Sequence, residues 1–125
     1  MRKRAGALYI EDHKLLLICE GDQGFYWTPG GGLEKSESFD EALKRELIEE
    51  LEAKLLSAEL YISYEDNEAD EHVNYYLVTM ELPKVPPNGT KFYWYSRDDY
   101  QTNEIPVSKR VYSLVYPRLM KDKLV

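Results

Sequence analysis

Residues 30 to 50, GGGLEKSESFDEALKRELIEE, constrain this chain more than any other stretch. Three glycines run into a segment whose start is marked by Ser38 and, three positions on, Glu41. That spacing is a capping-box signature, which satisfies two backbone N–H groups at a helix start. It predicts a helix from near Phe39 to between Leu51 and Ala53. At about 100° per residue, Glu46 and Glu50 fall within roughly 40° of each other, and Glu49 lies about 60° to one side. Phe39 and Leu43 project into the same sector as Glu46 and Glu50, and Leu47 and Leu51 continue the apolar arc. The three carboxylates therefore stand at the edge of the buried face.

Carboxylates crowded at such an edge repel one another and lose hydration. Like charges four residues apart on a helix cost about a few tenths of a kcal/mol even when exposed. Along the helix only Arg45 offers a counter-charge. A divalent cation would relieve the remainder, and magnesium takes one or two carboxylates, waters and substrate phosphates as ligands. Gly30, Gly31 and Gly32 supply the other half, because a backbone without side chains can approach an ion or phosphate closely. The combination points to metal-assisted chemistry on a phosphate compound.

The remaining segments read as a mixed α/β layer fold. GALYI and KLLLICE are short β-rich runs joined by EDHK as a hairpin. GDQG breaks the pattern, and FYWTPGGG reads as a strand end entering a glycine-rich loop. After the helix, KLLSAELYISYED and HVNYYLVTMEL read as two strands around the acidic turn EDNEADE. PKVPPNG is a surface loop, KFYWYS a further strand, and RDDYQTNEIP a polar loop. The tail from Ser108 to about Lys121 has helical character interrupted by Pro117. With no repeat, low-complexity tract or boundary, residues 1–125 are expected to form a single domain.

The formal net charge of −7 argues against nucleic acid or an anionic membrane as partner, since both select basic faces. MRKR is a short solvated basic start, a minor attractor of phosphate at most. No run is long enough to cross a bilayer. Cys19 has no partner for an internal disulfide and reads as a small buried hydrophobe. A cytoplasmic setting is expected.

The GGG-to-IEE stretch closely resembles the Nudix box, the signature of the MutT-like Nudix hydrolases. Gly31, Glu37, Arg45, Glu46, Leu47, Glu49 and Glu50 fall on the family pattern with its spacing, and YWTPGGG resembles the strand that leads into it. One position departs: where the family has a glycine after Glu50, this chain has Glu52, with Ala53 as the closing aliphatic. The resemblance implies a Nudix-type α/β/α sandwich with a mixed sheet between helices. It also implies hydrolysis of the diphosphate linkage of a nucleoside diphosphate joined to another group. Magnesium, with manganese as an alternative, would be held by Glu46, Glu49, Glu50 and the Gly31 carbonyl. Arg45 would orient a glutamate by a charge-assisted hydrogen bond, and Glu37 would support Arg45 or the loop.

The water-activating carboxylate is expected inside the box at Glu49 or Glu46. Asp98, Asp99, Asp70 and Glu71 outside it read first as turn residues. Gly30, Gly31, Gly32 and Tyr26 are the expected substrate contacts, although most of the eleven tyrosines and both tryptophans serve strands and core. His13 and His72 have no metal spacing and read as turn or strand-end residues. A compact chain favours a nucleoside triphosphate pyrophosphohydrolase. An ADP-sugar or dinucleoside polyphosphate hydrolase is the alternative, as is a Nudix-fold module that binds a nucleotide without cleaving it. A homodimer is left open.

Overall fold

The computed structural model describes all 125 residues. They gather into two compact units, one from residues 1–9 and 29–87, the other from residues 10–28 and 88–125. Two sheets and several helices give the mixed α/β class expected from the sequence.

The first unit is a four-stranded mixed sheet with one long helix. Strands β1 (Arg2–Leu8), β4 (Gly30–Gly32), β5 (Lys54–Asp66) and β6 (Glu71–Glu81) lie in the order β4-β1-β6-β5. β1 runs parallel to β6, Arg4 opposite Val73, and antiparallel to β4, Ala5 opposite Gly31. The glycines are thus a paired strand, where the sequence suggested a loop. Glycine has little β-propensity of its own, and the ladder with β1 supplies what the side chains do not. Helix α1 (Phe39–Leu51) buries Ala42, Leu43, Leu47 and Leu51 on one side, the stripe expected of an amphipathic helix.

Both halves of the capping box form: Glu41 N–H donates to Ser38 Oγ at 3.1 Å and Ser38 N–H to Glu41 Oε1 at 2.9 Å. The far end closes at Glu52, which takes the left-handed conformation (φ 54°, ψ 35°) and donates its N–H to the Ile48 carbonyl. That is the backbone shape for which a glycine is usual. The loss of the family's glycine has left the helix end in place.

The second unit holds β2 (Ile10–Glu11), β3 (Lys14–Glu20) and β7 (Thr90–Tyr95) in that order. Asp12 and His13, both at positive φ, make the two-residue turn between β2 and β3. Leu15, Leu16, Leu17 and Ile18 are all fully buried, which requires cover on both faces of their strand. The stretch expected as a polar loop contains a short helix, α2 (Arg97–Thr102), capped by Ser96 and Asp99. In the C-terminal helical stretch a π turn, Val111–Val115, precedes α3 (Tyr116–Lys121). Pro117 has no N–H to donate and crowds the preceding turn, and the wider π turn takes up that mismatch. No helix is long and apolar enough to cross a membrane.

Candidate active site

Strand β4 and helix α1 bring the glycines against the glutamates. Gly30 sits at φ 137°, a conformation that side chains rarely adopt, and a Cβ there would collide with the Ala5 carbonyl. Its N–H donates to Glu50 Oε1 at 2.7 Å. Gly31 faces Glu46 so closely that a Cβ would lie 2.6 Å from Oε1 and 2.7 Å from Oε2. The absent side chain of Gly31 is the space that the Glu46 carboxylate occupies.

Arg45 is the hub of the site. Its Nε donates to Glu37 Oε2 at 2.7 Å and its Nη2 to Glu37 Oε1 at 2.8 Å, a two-pronged fork, while Nη2 also reaches the Gly32 carbonyl at 3.0 Å. Nη1 donates to Glu46 Oε1 at 2.8 Å and to Glu49 Oε2 at 3.2 Å. Glu34 Oε1 stands 3.6 Å from the same nitrogen. The fork, aided by the Glu34 N–H that also donates to Glu37, holds the Glu37 carboxyl down to about 2. Glu37 in return pushes the Arg45 guanidinium above its already high value.

This pairing is richer than the sequence suggested, yet it does not balance the charge. Four carboxylates (Glu34, Glu37, Glu46 and Glu49) share one guanidinium. The last turn of α1 carries no basic residue, so Glu49 and Glu50 also sit at the negative end of the helix dipole. Such an arrangement costs the fold stability and calls for a further cation. The donors are hard oxygens throughout, which suits magnesium or manganese. As they stand, the side chains do not converge into a cluster of three that could hold a metal ion. Arg45 Nη1 draws Glu46 and Glu49 to itself, and the Gly30 N–H takes Glu50. Glu49, with 57% of its side chain exposed against 17% for Glu46, is the member open to water.

Tyr26 is not among the residues that the first unit brings together. It belongs to the second unit, where its backbone bonds Pro106 and Ser108 and its ring packs on Tyr93 at 5.5 Å. The outlying acids have structural partners. Asp99 accepts from Tyr93 Oη at 2.9 Å and from the Ser96 N–H at 2.8 Å. Burial pushes its carboxyl up, and these bonds outweigh burial to hold it low. Asp98 lies in the first turn of α2, Glu71 accepts from Arg2 at 2.7 Å, and Asp70 lies 3.7 Å from the N-terminal amine. His13 is in its turn, and His72, near the start of β6, bonds Ser63 at 2.8 Å and packs on Phe39. Cys19 is buried.

Sequence reasoning missed Glu34 and the Gly32 carbonyl as partners of Arg45. A second acid three residues before Glu37 was the available signal. A helix whose like-charged edge packs on a glycine strand of a mixed sheet defines a metal-assisted phosphoanhydride hydrolase as the class of protein. The family profile of the NUDIX domain matches residues 1–116, across both units, and the chain belongs to that family as a Nudix-type hydrolase. Enzymes of this family generally use divalent metal ions and act on small nucleotides.

Among solved structures, the chain is similar to a MutT protein studied from Aliivibrio salmonicida and Vibrio cholerae. They share 17% identity at TM-score 0.78, over 96% of this chain and 98% of that one. An ADP-ribose pyrophosphatase from Streptococcus suis also aligns at TM-score 0.78, with 17% identity over 98% and 92% of the two chains. At these identities the likeness is one of fold. A MutT Nudix hydrolase from Burkholderia pseudomallei shares 28% identity at TM-score 0.67, over 86% and 90%. No curated protein matches the chain in sequence.

Proposed function

We propose that the two units together form one catalytic domain that hydrolyses nucleoside triphosphates to a nucleoside monophosphate and pyrophosphate. The observation that carries this reading is the excess of carboxylate over cation where Arg45 Nη1 is shared by Glu46 and Glu49 against the glycine strand. A triphosphate, itself anionic, would be repelled by that edge unless metal ions reversed its charge. Glu46, Glu49, Glu50 and the Gly31 carbonyl are the ligands for magnesium or manganese, with Gly30, Gly31 and Gly32 admitting the phosphates against bare backbone. The bound ion would polarise a phosphoryl oxygen and lower the cost of charge on the leaving phosphate.

The chain's own residues do the rest. Glu49, the exposed member, takes a proton from the attacking water or positions it, and Glu46 is the second candidate for that role. The water's oxygen forms the new bond to phosphorus, and the anhydride bond to the departing pyrophosphate breaks. Arg45 keeps Glu46 and Glu49 in place, and Glu37 with the Gly32 carbonyl keeps Arg45 in place. We place the reaction in the cytoplasm. Chromatography of the products tests the bond cleaved: monophosphate with pyrophosphate supports the reading, and diphosphate with inorganic phosphate sinks it.

A second reading, an ADP-sugar as substrate, is favoured by one observation. The ADP-ribose pyrophosphatase from Streptococcus suis aligns as well as the MutT structure does. Both substrates present the same anhydride to the same carboxylates.

A further inference from the structure

A polar cleft of about 410 Å³ opens at the end of the first unit's sheet. It is bordered by the first four residues, by Gly32 and the loop of residues 33–37, and by Glu71. Its size is that of a small-molecule site. The charges around it sort by pairing. Arg2 is committed to the buried Glu71 carboxylate at 2.7 Å, and the N-terminal amine lies 3.7 Å from Asp70. Glu37 is matched by Arg45. Lys3 and Arg4 have no carboxylate partner, and Arg4 is half-buried. The remaining acid, Glu34, is largely exposed and already lies 3.6 Å from Arg45.

A guanidinium drawn partly out of water without a counter-ion is stabilised by an anion that enters beside it. The cationic surplus at this cleft runs against the formal net charge of −7 of the whole chain. Gly32 keeps its wall low, since even a Cβ there would meet only the Lys3 carbonyl at 3.7 Å. Arginine's planar fork matches phosphate oxygens in pairs, and lysine adds a mobile point charge.

We propose that this cleft is a phosphate-binding subsite, in which Lys3 and Arg4 hold phosphate groups of a polyphosphate chain on the far side of Glu37 from Arg45. The inference rests on the proposed function only for the identity of that chain as a nucleotide's. It makes the basic start of the sequence part of the molecule's recognition surface.

Inorganic tripolyphosphate is the probe, titrated calorimetrically in metal-free buffer at low ionic strength, where exposed charges are least screened. The double variant Lys3→Gln with Arg4→Gln should bind it about tenfold or more weakly, since hydrogen bonds to charged groups are the strong ones. Its thermal midpoint should stay at the wild-type value, because neither side chain holds another. Glu34→Gln should tighten binding, and Glu50→Gln should leave it intact. Failure of the wild type to bind would overturn the subsite, as would equal binding by the double variant, or a loss seen with Glu50→Gln alone. Binding that the double variant loses upholds the subsite even where no nucleotide is cleaved. That last result would count against the hydrolase reading by itself.

Discussion

Glu37 and Arg45 face each other through two parallel hydrogen bonds, Nε to Oε2 at 2.7 Å and Nη2 to Oε1 at 2.8 Å. The fork fixes the plane of the guanidinium, and so decides where Nη1 meets Glu46 and Glu49. Lysine keeps the charge and loses the plane. Arg45→Lys should therefore lower kcat by about 10²-fold through misplaced carboxylates, with a smaller change in KM. Steady-state kinetics with the folded variant checks this, and a wild-type kcat would remove Arg45 from its positioning role.

The same pair gives a pH signature. Glu37 has its folded carboxyl held at about 2, against an ordinary 4.5. A depressed carboxyl contributes stability that is fully present above the unfolded value and is lost as the pH falls through the folded one. Thermal midpoints of wild type and Glu37→Gln should differ by a constant amount above pH 4.5 and converge between pH 4.5 and about 2. A gap that persists unchanged to the acid end would show that the ion pair does not form.

Gly30 and Gly31 are adjacent, yet alanine should fail at each for a different reason. At Gly30 the added Cβ meets rigid backbone at a φ of 137°, and the fold should lose about 3 kcal/mol or more. At Gly31 it meets the end of the flexible Glu46 side chain, which can swing away. Gly31→Ala should keep much of its stability while activity drops about 10²-fold, because Glu46 has moved. Denaturant melts paired with activity measurements separate the two. Equal destabilisation without a kinetic difference would contradict the contact between Gly31 and Glu46.

Glu52 holds a left-handed conformation at the end of α1 and places a negative charge at the negative end of the helix dipole. Glu52→Gly removes both penalties and should stabilise the protein by about 1 kcal/mol, read from chemical denaturation. A destabilised variant would mean that the Glu52 side chain has a positive role in closing the helix.

Much of this was legible in the sequence because the signals were local. The capping box of Ser38 and Glu41 set the start of α1, and the alternating run from Lys54 to Asp66 forms β5 along its whole length. The glycine strand was not legible, since only pairing with β1 turns Gly30, Gly31 and Gly32 into one. Helix α2 was missed although Ser96 and Asp99 spell its cap, for its six residues bury none of their side chains. At the site, helical spacing placed the three glutamates at one edge. The Gly32 carbonyl and Glu34 come to Arg45 through the fold of a loop, which periodicity does not encode.

The central claim is that the acidic edge of α1 is a metal-dependent phosphoanhydride hydrolase site. The most direct measurement is turnover of a panel of nucleoside triphosphates, ADP-sugars and dinucleoside polyphosphates with magnesium, comparing wild type, chelator-treated protein and Glu50→Gln. The account predicts cleavage of one class, abolished by chelator and reduced by about 10³-fold in the variant. Tight binding of one compound with no cleavage of any would contradict it and define a nucleotide-binding module instead.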